Sequence, residues 1–343
     1  MSVVPSYRAL ARTGELAVRA TALEALLEHC TLCPHRCGVD RLADQRSRCH
    51  TGRQAVVSSY APHFGEEPPL VGSNGIGNIF FGNCTLRCAY CQNYEISQRH
   101  RREELHRVSE ERLASIMLEL QERGCHAIGL VSPTHVVPQI VRALEHAASG
   151  GLSLPLVYNT SAFEEVEVLR LLEGVVDIYL PDLKYADEAA ARAYSGAGTY
   201  VAAARDALRE MHRQVGSALI LGDDGLIKRG LIIRHLVLPN DLAGSRESLA
   251  WIRAALGPEV TVSIMAQYYP ANRAARTPLL DRPLRASEYD RVLATLDELS
   301  LEHGWAQELE AEATYRPDFR DRTRPFDAPP AHTGDEGRTA YGA

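Results

Sequence analysis

Three cysteines lie close together in the sequence, with three and then two residues between them: Cys84, Cys88 and Cys91. One irregular loop with this spacing can place three thiolates around a single cubane iron-sulfur cluster. A closed metal site or an electron-transfer 4Fe-4S centre normally takes four protein ligands, so three cysteines leave one position for an exchangeable ligand. The spacing therefore indicates a cluster that binds a further molecule. A zinc ion with a distant fourth ligand, or three incidental thiols, are the alternatives.

A second group of cysteines has four members, which are Cys30, Cys33, Cys37 and Cys49. Four thiolates imply a closed metal site. Zinc and a second 4Fe-4S cluster both fit this spacing, and free or redox-paired thiols are a third possibility. Three histidines flank the group and are weaker candidates as substitute ligands: His29, His35 and His50. The remaining cysteine, Cys125, starts an apolar run, and we expect a small buried side chain without a functional role.

The composition is that of a globular protein, because 45% of the 343 residues are hydrophobic and 24% are charged. The formal net charge of -7 argues against a nucleic-acid partner held by electrostatics. No apolar stretch approaches the roughly 18 residues that span a bilayer, so we expect a soluble cytoplasmic protein without a membrane partner. Cytoplasmic cysteines are mostly reduced, which favours metal ligation over disulfide bonds.

The segment Cys84-Thr-Leu-Arg-Cys-Ala-Tyr90-Cys91, with an aromatic residue just before the third cysteine, resembles the signature of the radical S-adenosylmethionine superfamily. The resemblance implies that the cysteines hold a 4Fe-4S cluster whose fourth iron is chelated by the amino and carboxylate groups of S-adenosylmethionine. It places Tyr90 near the adenine and Asn93 among the cofactor-binding residues. One-electron reduction would cleave the sulfonium to methionine and a 5'-deoxyadenosyl radical, which abstracts hydrogen from a substrate.

About residues 28 to 319 are similar to a narrower subgroup, the uncharacterised radical proteins related to the pyruvate formate-lyase activating enzyme. The segments that carry this likeness are His63 to Pro69, Gly77 to Phe81, Cys91 to Tyr94, Arg234 to Pro239 and Met265 to Tyr268. Activating enzymes have a glycine-glycine-glutamate type segment after the second strand. This chain instead has Val131-Ser132-Pro133-Thr134-His135. We expect the hydroxyl of Ser132 or Thr134 to replace the lost contacts to the cofactor.

The rest of the chain alternates short apolar runs with helical periodicities. Six runs have the length and composition of buried strands: Asn78 to Phe81, Ala127 to Val131, Leu154 to Tyr158, Val176 to Leu180, Leu231 to Leu238, and Val260 to Met265. Alternation of this kind predicts an α/β fold with a parallel sheet. The resemblance implies an open, partial (βα)6 barrel of the triosephosphate isomerase type.

Polar side chains follow the predicted strands, at the edge where barrels carry their active sites. We expect Asn159 to bind the ribose and Asp182 to contact the cofactor. Asp182 and Lys184 should either form an ion pair on a solvated edge or line the cavity. Arg234 lies among apolar residues and needs a carboxylate partner if it is buried, and the carboxylate of S-adenosylmethionine is one candidate.

Three further positions have both structural and functional interpretations. His135 and His235 lie beside strands, where a histidine is either a hydrogen-bonded core residue or part of the site. Ser161 and Glu164 have the spacing of a capping box at the start of the next helix.

We predict three regions. Residues 1–76 form a small cysteine-rich lobe with an N-terminal helix and the four-cysteine metal site. Residues 77–319 form the partial barrel, and the stretch 60–77, rich in proline and glycine, joins the two. Residues 320–343 mix charge with helix breakers and are predicted to be a disordered tail.

The predicted function is that of a radical S-adenosylmethionine enzyme, an oxidoreductase acting on an unknown protein, peptide or small metabolite. The cluster needs an electron, so a reduced flavodoxin or ferredoxin is the implied partner. The alternative is a non-catalytic iron-sulfur protein of regulation or assembly that retains the fold. A nucleic-acid-binding module is disfavoured, because no basic face accompanies the cysteines in the sequence.

Overall fold

The computed structural model describes residues 4–309, 316–319, 321–323, 325–326 and 338–341. Its helices are α1 (Tyr7–Thr13), α2 (Glu15–Ala25), α3 (Pro68–Val71), α4 (Tyr94–Ser97), α5 (His100–Glu103), α6 (Glu110–Glu122), α7 (Val137–Ser149), α8 (Val166–Leu171), α9 (Glu188–Ser195), α10 (Tyr200–Val215), α11 (Ser245–Leu256) and α12 (Ala286–Glu298). Its strands are β1 (Ala55–His63), β2 (Ile76–Phe81), β3 (Arg107–Val108), β4 (Ile128–Val131), β5 (Leu156–Thr160), β6 (Ile178–Pro181), β7 (Ile220–Leu221), β8 (Ile227–Leu236), β9 (Thr261–Met265), β10 (Gly304–Gln307) and β11 (Arg338–Tyr341). Across these segments, no helix is long and apolar enough to cross a bilayer.

A mostly parallel sheet forms the centre of the molecule. Its parallel strands lie in the order β2-β4-β5-β6-β8-β9-β10, and β1 and β11 extend it antiparallel at the two sides. The sheet is open, since the order ends at β3 on one side and β11 on the other. The α/β fold and its parallel sheet are therefore confirmed, and the arrangement is consistent with a radical S-adenosylmethionine partial barrel.

All six predicted parallel strands are present, and β10 adds a seventh. The central strands are mostly apolar and are buried on both faces, as expected for a parallel sheet covered by helices. Every residue of β4 is buried, for example, and so is every residue of β5 and β6. The short, half-exposed β10 lacked such an apolar run, which explains why its sequence did not indicate a strand.

The outer helices are amphipathic, as α7 shows. Its apolar positions Val137, Ile140, Val141 and Leu144 recur at helical spacing and are buried, and Pro138 occupies the first turn, where it costs no hydrogen bond. This face packs against the sheet and the neighbouring α6, while α2 covers its other flank. Such burial, rather than intrinsic propensity, is what stabilises helices of this length.

The N-terminal helices share the core of the barrel. Leu16 and Leu23 of α2 are fully buried in the same apolar cluster as α7 and the sheet. The hydroxyl of Tyr7 in α1 donates to the carbonyl of Leu154 at 3.0 Å, just before β5 begins. The N-terminal helices therefore pack into the same core as the sheet, and a separate lobe of residues 1–76 stays a prediction.

The predicted linker 60–77 is largely regular structure instead. Its first residues complete β1, which pairs antiparallel with β2 from Val57 to His63. Two prolines then begin α3. Pro62 lies in a side strand, where the absence of an N–H group is tolerated.

The predicted tail makes defined contacts where the structure describes it. Strand β11 pairs with β10, and the guanidinium of Arg322 contacts the buried Glu103 at 2.7 Å. Phe319 and Phe326 pack on Phe80 with ring centroids 5.6 Å apart. Residues 320, 324, 327–337 and 342–343 lie outside the described residues.

We expect the substitution Tyr7→Ala to lower the free energy of unfolding by about 4 kcal/mol, because it removes a fully buried aromatic ring and leaves a cavity. Chemical denaturation of the anaerobically purified protein measures this change. Val18→Ala in α2 is the control, since Val18 is 63% exposed and its loss should change stability by no more than about 0.5 kcal/mol. Equal effects of the two substitutions would show that α1 does not contribute to the core.

Candidate functional site

The cysteine loop joins β2 to α4 at the carboxyl edge of the parallel sheet. Asn83 leaves the strand with a positive φ of 69°, a conformation that asparagine tolerates better than most residues. Cys84, Cys88 and Cys91 then line one cavity. All three thiols come from this one irregular loop.

The thiols receive hydrogen bonds from their surroundings. The backbone N–H of Leu86 donates to Cys84 Sγ at 3.4 Å, and the hydroxyl of Ser195, which ends α9, donates to Cys88 Sγ at 3.0 Å. The hydroxyl of Ser97 lies 3.2 Å from Cys91 Sγ. Donors of this kind stabilise sulfur as thiolate and tune a bound cluster.

The thiols need positive charge if they are to ionise. Burial raises the pKa of Cys84, and the neighbouring Cys88 raises it further. Burial and the same neighbour raise the pKa of Cys91 to about 12. Coordinated metal ions remove such protons outright. A donor set of three buried, mutually repelling thiols therefore fits an iron-sulfur cluster.

Across the described residues, no three histidine, cysteine or acidic side chains are grouped closely enough to share one metal ion. This holds for both cysteine groups. A 4Fe-4S cubane makes a different demand, because each cysteine binds a different iron.

Residues beside the third cysteine form one side of the cavity. Tyr90 is almost fully buried, and its ring meets the rings of Tyr185 and Tyr268 at centroid distances of 6.4 and 6.0 Å. Asn93 lines the cavity at the start of α4. The side-chain amide of Gln92 donates to the backbone carbonyl of Gln267, which follows β9.

A buried charge network forms the opposite wall. Arg234 in β8 uses all three guanidinium nitrogens: Nε donates to Asp182 at 2.7 Å, Nη1 to Glu66 at 2.9 Å and Nη2 to the side-chain oxygen Oδ1 of Asn159 at 2.6 Å. Lys184 Nζ donates to the second oxygen of Asp182 at 2.7 Å. The carboxylates that neutralise Arg234 therefore come from the protein itself.

Asp182 and Lys184 thus combine the two expected arrangements, since they form an ion pair and also line the cavity. Burial opposes the ionisation of Asp182, but Arg234 and Lys184 together hold the pKa of this carboxyl below its usual value. Burial likewise opposes the charge of Lys184, yet Asp182 and then Cys88 raise its pKa. Lys184 is therefore a cation shared between the carboxylate wall and the thiols.

The sequence analysis missed Glu66 as a site residue. It lies in the segment between β1 and α3, which was interpreted as a linker, and it accepts a hydrogen bond from Asn78 in β2 at 3.0 Å. In barrels, active-site residues are expected after the carboxyl ends of the parallel strands. Glu66 follows an antiparallel strand, so this expectation did not identify it. Only pairing of β1 with β2 brings Glu66 to the cavity.

The two hydroxyls expected to replace the glycine-glycine-glutamate contacts lie in different places. Ser132 lines the cavity and has a φ of 57°, which is strained for serine. Thr134 does not line it. Its hydroxyl lies 2.5 Å from Glu164, away from the cavity wall, so its expected role in cofactor binding is not supported by its position.

Glu164 is a buried acid rather than part of a capping box. Helix α8 begins after it, with Glu165 at the N-cap, and Ser161 makes no such contact. Its carboxyl is surrounded by the hydroxyls of Thr134, Thr160 and Tyr158. Burial raises its pKa to about 7 although these hydroxyls oppose the rise.

The two histidines are core residues. His235 is fully buried, with Nδ1 2.7 Å from the carbonyl of Leu183 and Nε2 2.9 Å from the hydroxyl of Ser245. His135 is also buried, and its Nε2 lies 2.9 Å from the carbonyl of Gly82. Burial lowers the pKa of His135 to about 3 and that of His235 to about 4. Neither residue lines the cavity.

The second cysteine group lies beside the cysteine loop. Its four members, Cys30, Cys33, Cys37 and Cys49, are on a segment that folds back between α2 and β1. Burial raises the pKa of Cys33, and the neighbouring Cys49 and Cys30 raise it further, so these thiols are close to one another. His35 Nε2 lies 2.9 Å from the carbonyl of Thr85, which ties this segment to the first cysteine loop.

A buried arginine holds the same segment against the sheet. The guanidinium of Arg41 donates to the carbonyl of Gly52 at 2.8 and 3.0 Å and to the carbonyl of His135 at 2.7 Å. These bonds satisfy a cation that is 1% exposed. No feature of the sequence singled out this arginine.

Comparison with known proteins agrees with this geometry. Residues 78–227 match the model of the Radical SAM superfamily, which confirms the prediction of a radical S-adenosylmethionine domain and implies a 4Fe-4S cluster and S-adenosylmethionine as cofactors. An uncharacterized protein of Methanocaldococcus jannaschii, MJ0674, is 28% identical over 283 residues, which are 81% of this chain and 77% of that protein. The likeness to activating enzymes stays a prediction.

The pKa of Glu164 makes stability depend on pH. Because the folded value of about 7 is above the ordinary 4.5, its contribution is fully present at low pH and is lost as pH rises through about 7. We expect Glu164→Gln to remove up to about 3 kcal/mol of the decline in unfolding free energy between about pH 5 and pH 8. Urea denaturation across this range measures it.

Glu28→Gln, at an exposed position in the segment after α2, is the control for loss of a carboxylate. It should leave the pH profile of the parent protein unchanged. Parallel profiles for Glu164→Gln and the parent would contradict the assignment of a raised pKa to Glu164.

Proposed function

We propose that this protein is a radical S-adenosylmethionine enzyme that abstracts hydrogen from an organic substrate. The observation that carries the proposal is that three thiols from one loop line one cavity at the carboxyl edge of a parallel sheet, within a domain of that superfamily. Cys84, Cys88 and Cys91 hold the cluster. When bound, the cluster supplies one electron to the sulfonium of S-adenosylmethionine.

The residues of the cavity divide the binding of S-adenosylmethionine between them. Tyr90 and Asn93 border the side next to the cluster, where the nucleotide lies against an aromatic ring. Ser132 and Asn159 present a hydroxyl and an amide from the ends of β4 and β5. Asp182 and Glu66 pair with Arg234 on this wall, so its guanidinium is held by the protein itself.

The substrate binds on the apolar side of the same cavity. Val131, Leu236 and Met265 at the ends of β4, β8 and β9 line it, together with Phe80 and Phe326. An apolar wall excludes water from the place where a hydrogen atom is transferred. We propose a protein or peptide substrate, by similarity to activating enzymes. This chain differs from those enzymes in lacking their glycine-glycine-glutamate segment.

The electron comes from a reduced flavodoxin or ferredoxin. The reaction of this donor is a one-electron transfer to the cluster.

Cys30, Cys33, Cys37 and Cys49 form a second, closed metal site. Their proximity, their burial and the bond between His35 and Thr85 support a structural role beside the cysteine loop. A 4Fe-4S cluster suits this arrangement better than zinc, because among the described residues no three histidine, cysteine or acidic side chains are grouped closely enough to share one ion, whereas each cysteine of a cubane binds a different iron. A metal here would fix the position of the loop that follows β2.

We expect each of the variants Cys84→Ala, Cys88→Ala and Cys91→Ala to abolish formation of 5'-deoxyadenosine and methionine. Each variant removes one of the three cluster ligands, so the cluster should either fail to assemble or be bound by only two cysteines. Anaerobically reconstituted protein is incubated with S-adenosylmethionine and a chemical reductant, and both products are measured by chromatography.

Cys125→Ala is the matched control, because Cys125 is a buried free thiol outside the cavity. It should retain full turnover. A parent protein that binds a reduced 4Fe-4S cluster but forms no 5'-deoxyadenosine would sink the proposal and favour a non-catalytic iron-sulfur protein.

Metal analysis tests the second site. The parent protein should contain either about four irons and one zinc, or about eight irons, per chain. Cys33→Ala should remove the zinc, or about four irons, and leave the other cluster in place. A parent chain with about four irons and no other metal would overturn the second site.

A further inference from the structure

Three arginines from distant parts of the chain meet on the outer side of the cysteine loop. They are Arg48, Arg87 and Arg273, and we call them the outer arginine surface. The guanidinium of Arg87 donates to the carbonyl of Arg48, and that of Arg273 donates to the carbonyl of Arg87 at 2.5 Å. Arg48 in turn donates to the carbonyl of Gly196, just after α9. Arg48 and Arg273 are exposed.

This surface is in direct contact with the segment that carries the cluster ligands. Arg87 Nη1 donates to the carbonyl of Cys84 at 3.0 Å, and the backbone N–H of Arg273 donates to the carbonyl of Ala89 at 2.9 Å. Cys88 lies between Arg87 and Ala89 in the chain. Arg87 therefore belongs to the cysteine loop itself, and Arg273 contacts the backbone of that loop.

The charges of the surface are not neutralised by neighbours. Among the described residues, the guanidinium groups of Arg48, Arg87 and Arg273 bond to carbonyl oxygens and not to carboxylates. Exposed arginines elsewhere, such as Arg213 and Arg246, have carboxylate partners at 2.7 and 2.5 Å. The cysteine loop therefore carries a local positive surface on a protein whose net charge is -7. A field of this sign, confined to one face, attracts and orients an acidic molecule.

We propose that the outer arginine surface is the docking site of an acidic protein that donates the electron. This inference rests on the proposed function, since it names where that function receives its reductant. One electron passes from the donor's anionic flavin hydroquinone, which becomes the neutral semiquinone, to the oxidised cluster, which is reduced. No bond is formed or broken and no proton is transferred.

The test compares charge reversal on this surface with charge reversal at the opposite edge of the sheet. Arg48→Glu/Arg273→Glu changes the surface and leaves Arg87 and the cysteines in place. Arg12→Glu/Arg123→Glu is the matched control, because both arginines are exposed and end helices near the amino edge. Both double variants change the net charge equally.

Each holoprotein is mixed anaerobically with flavodoxin in its hydroquinone form, and reduction of the cluster is followed by absorbance at low and high ionic strength. We expect Arg48→Glu/Arg273→Glu to slow the second-order reduction about tenfold at low ionic strength, and to reduce its salt dependence. The control variant should match the parent. Reduction by photoreduced deazaflavin, a small neutral molecule, should be the same for all three proteins.

Other results would overturn the docking site. Equal rates for the two double variants with flavodoxin would exclude this surface, and so would a parent rate that does not depend on salt. Slower reduction by deazaflavin would show that the arginines act on the cluster itself. A third result would assign the surface to another ligand. In that case Arg48→Glu/Arg273→Glu would be reduced at the normal rate, but it alone would no longer bind an acidic peptide or a nucleic acid.

A different result would contradict the proposed function. Deazaflavin would then reduce the cluster of the parent protein without producing 5'-deoxyadenosine, whatever the rate of reduction by flavodoxin.

Discussion

The pairing of Arg234 with Asp182 is the interaction on which the site depends. The two residues face each other as a parallel bridge that continues the ladder of β6 and β8 beyond the end of β6. A buried guanidinium without a carboxylate, or the reverse, would cost several kcal/mol. The alignment of β6 with β8 therefore determines where the charged groups of the cavity wall lie. Through Arg234 it also holds Glu66, and with it the segment after β1.

The two sides of the cavity differ in how their charges are balanced. On the wall opposite the cysteines, the carboxylates of Glu66 and Asp182 pair with Arg234 and Lys184. On the cysteine side, burial and the neighbouring Cys88 oppose the ionisation of Cys84 and Cys91. Added positive charge, which the proposed iron-sulfur cluster would supply, favours their thiolate forms.

The segment before β1 takes part in this arrangement. Arg41 fastens it to the sheet, and His35 fastens it to the backbone of the cysteine loop at Thr85. The loop is thus held on one side by the barrel and on the other by a segment far away in sequence. A four-thiolate metal site in that segment would affect the cluster through geometry, whichever metal it contains.

The sequence by itself determined the parts of this protein that depend on short-range spacing. The thiols of Cys84, Cys88 and Cys91 meet because one loop carries them, and the six central strands form because their side chains are apolar on both faces. It could not determine which polar residues meet across the sheet. Glu66 reaches the cavity only through the antiparallel pairing of β1, and Thr134 turns away from it. Arg48, Arg87 and Arg273 form a basic surface only when three distant segments come together, because charge density depends on distances in space that no linear pattern records.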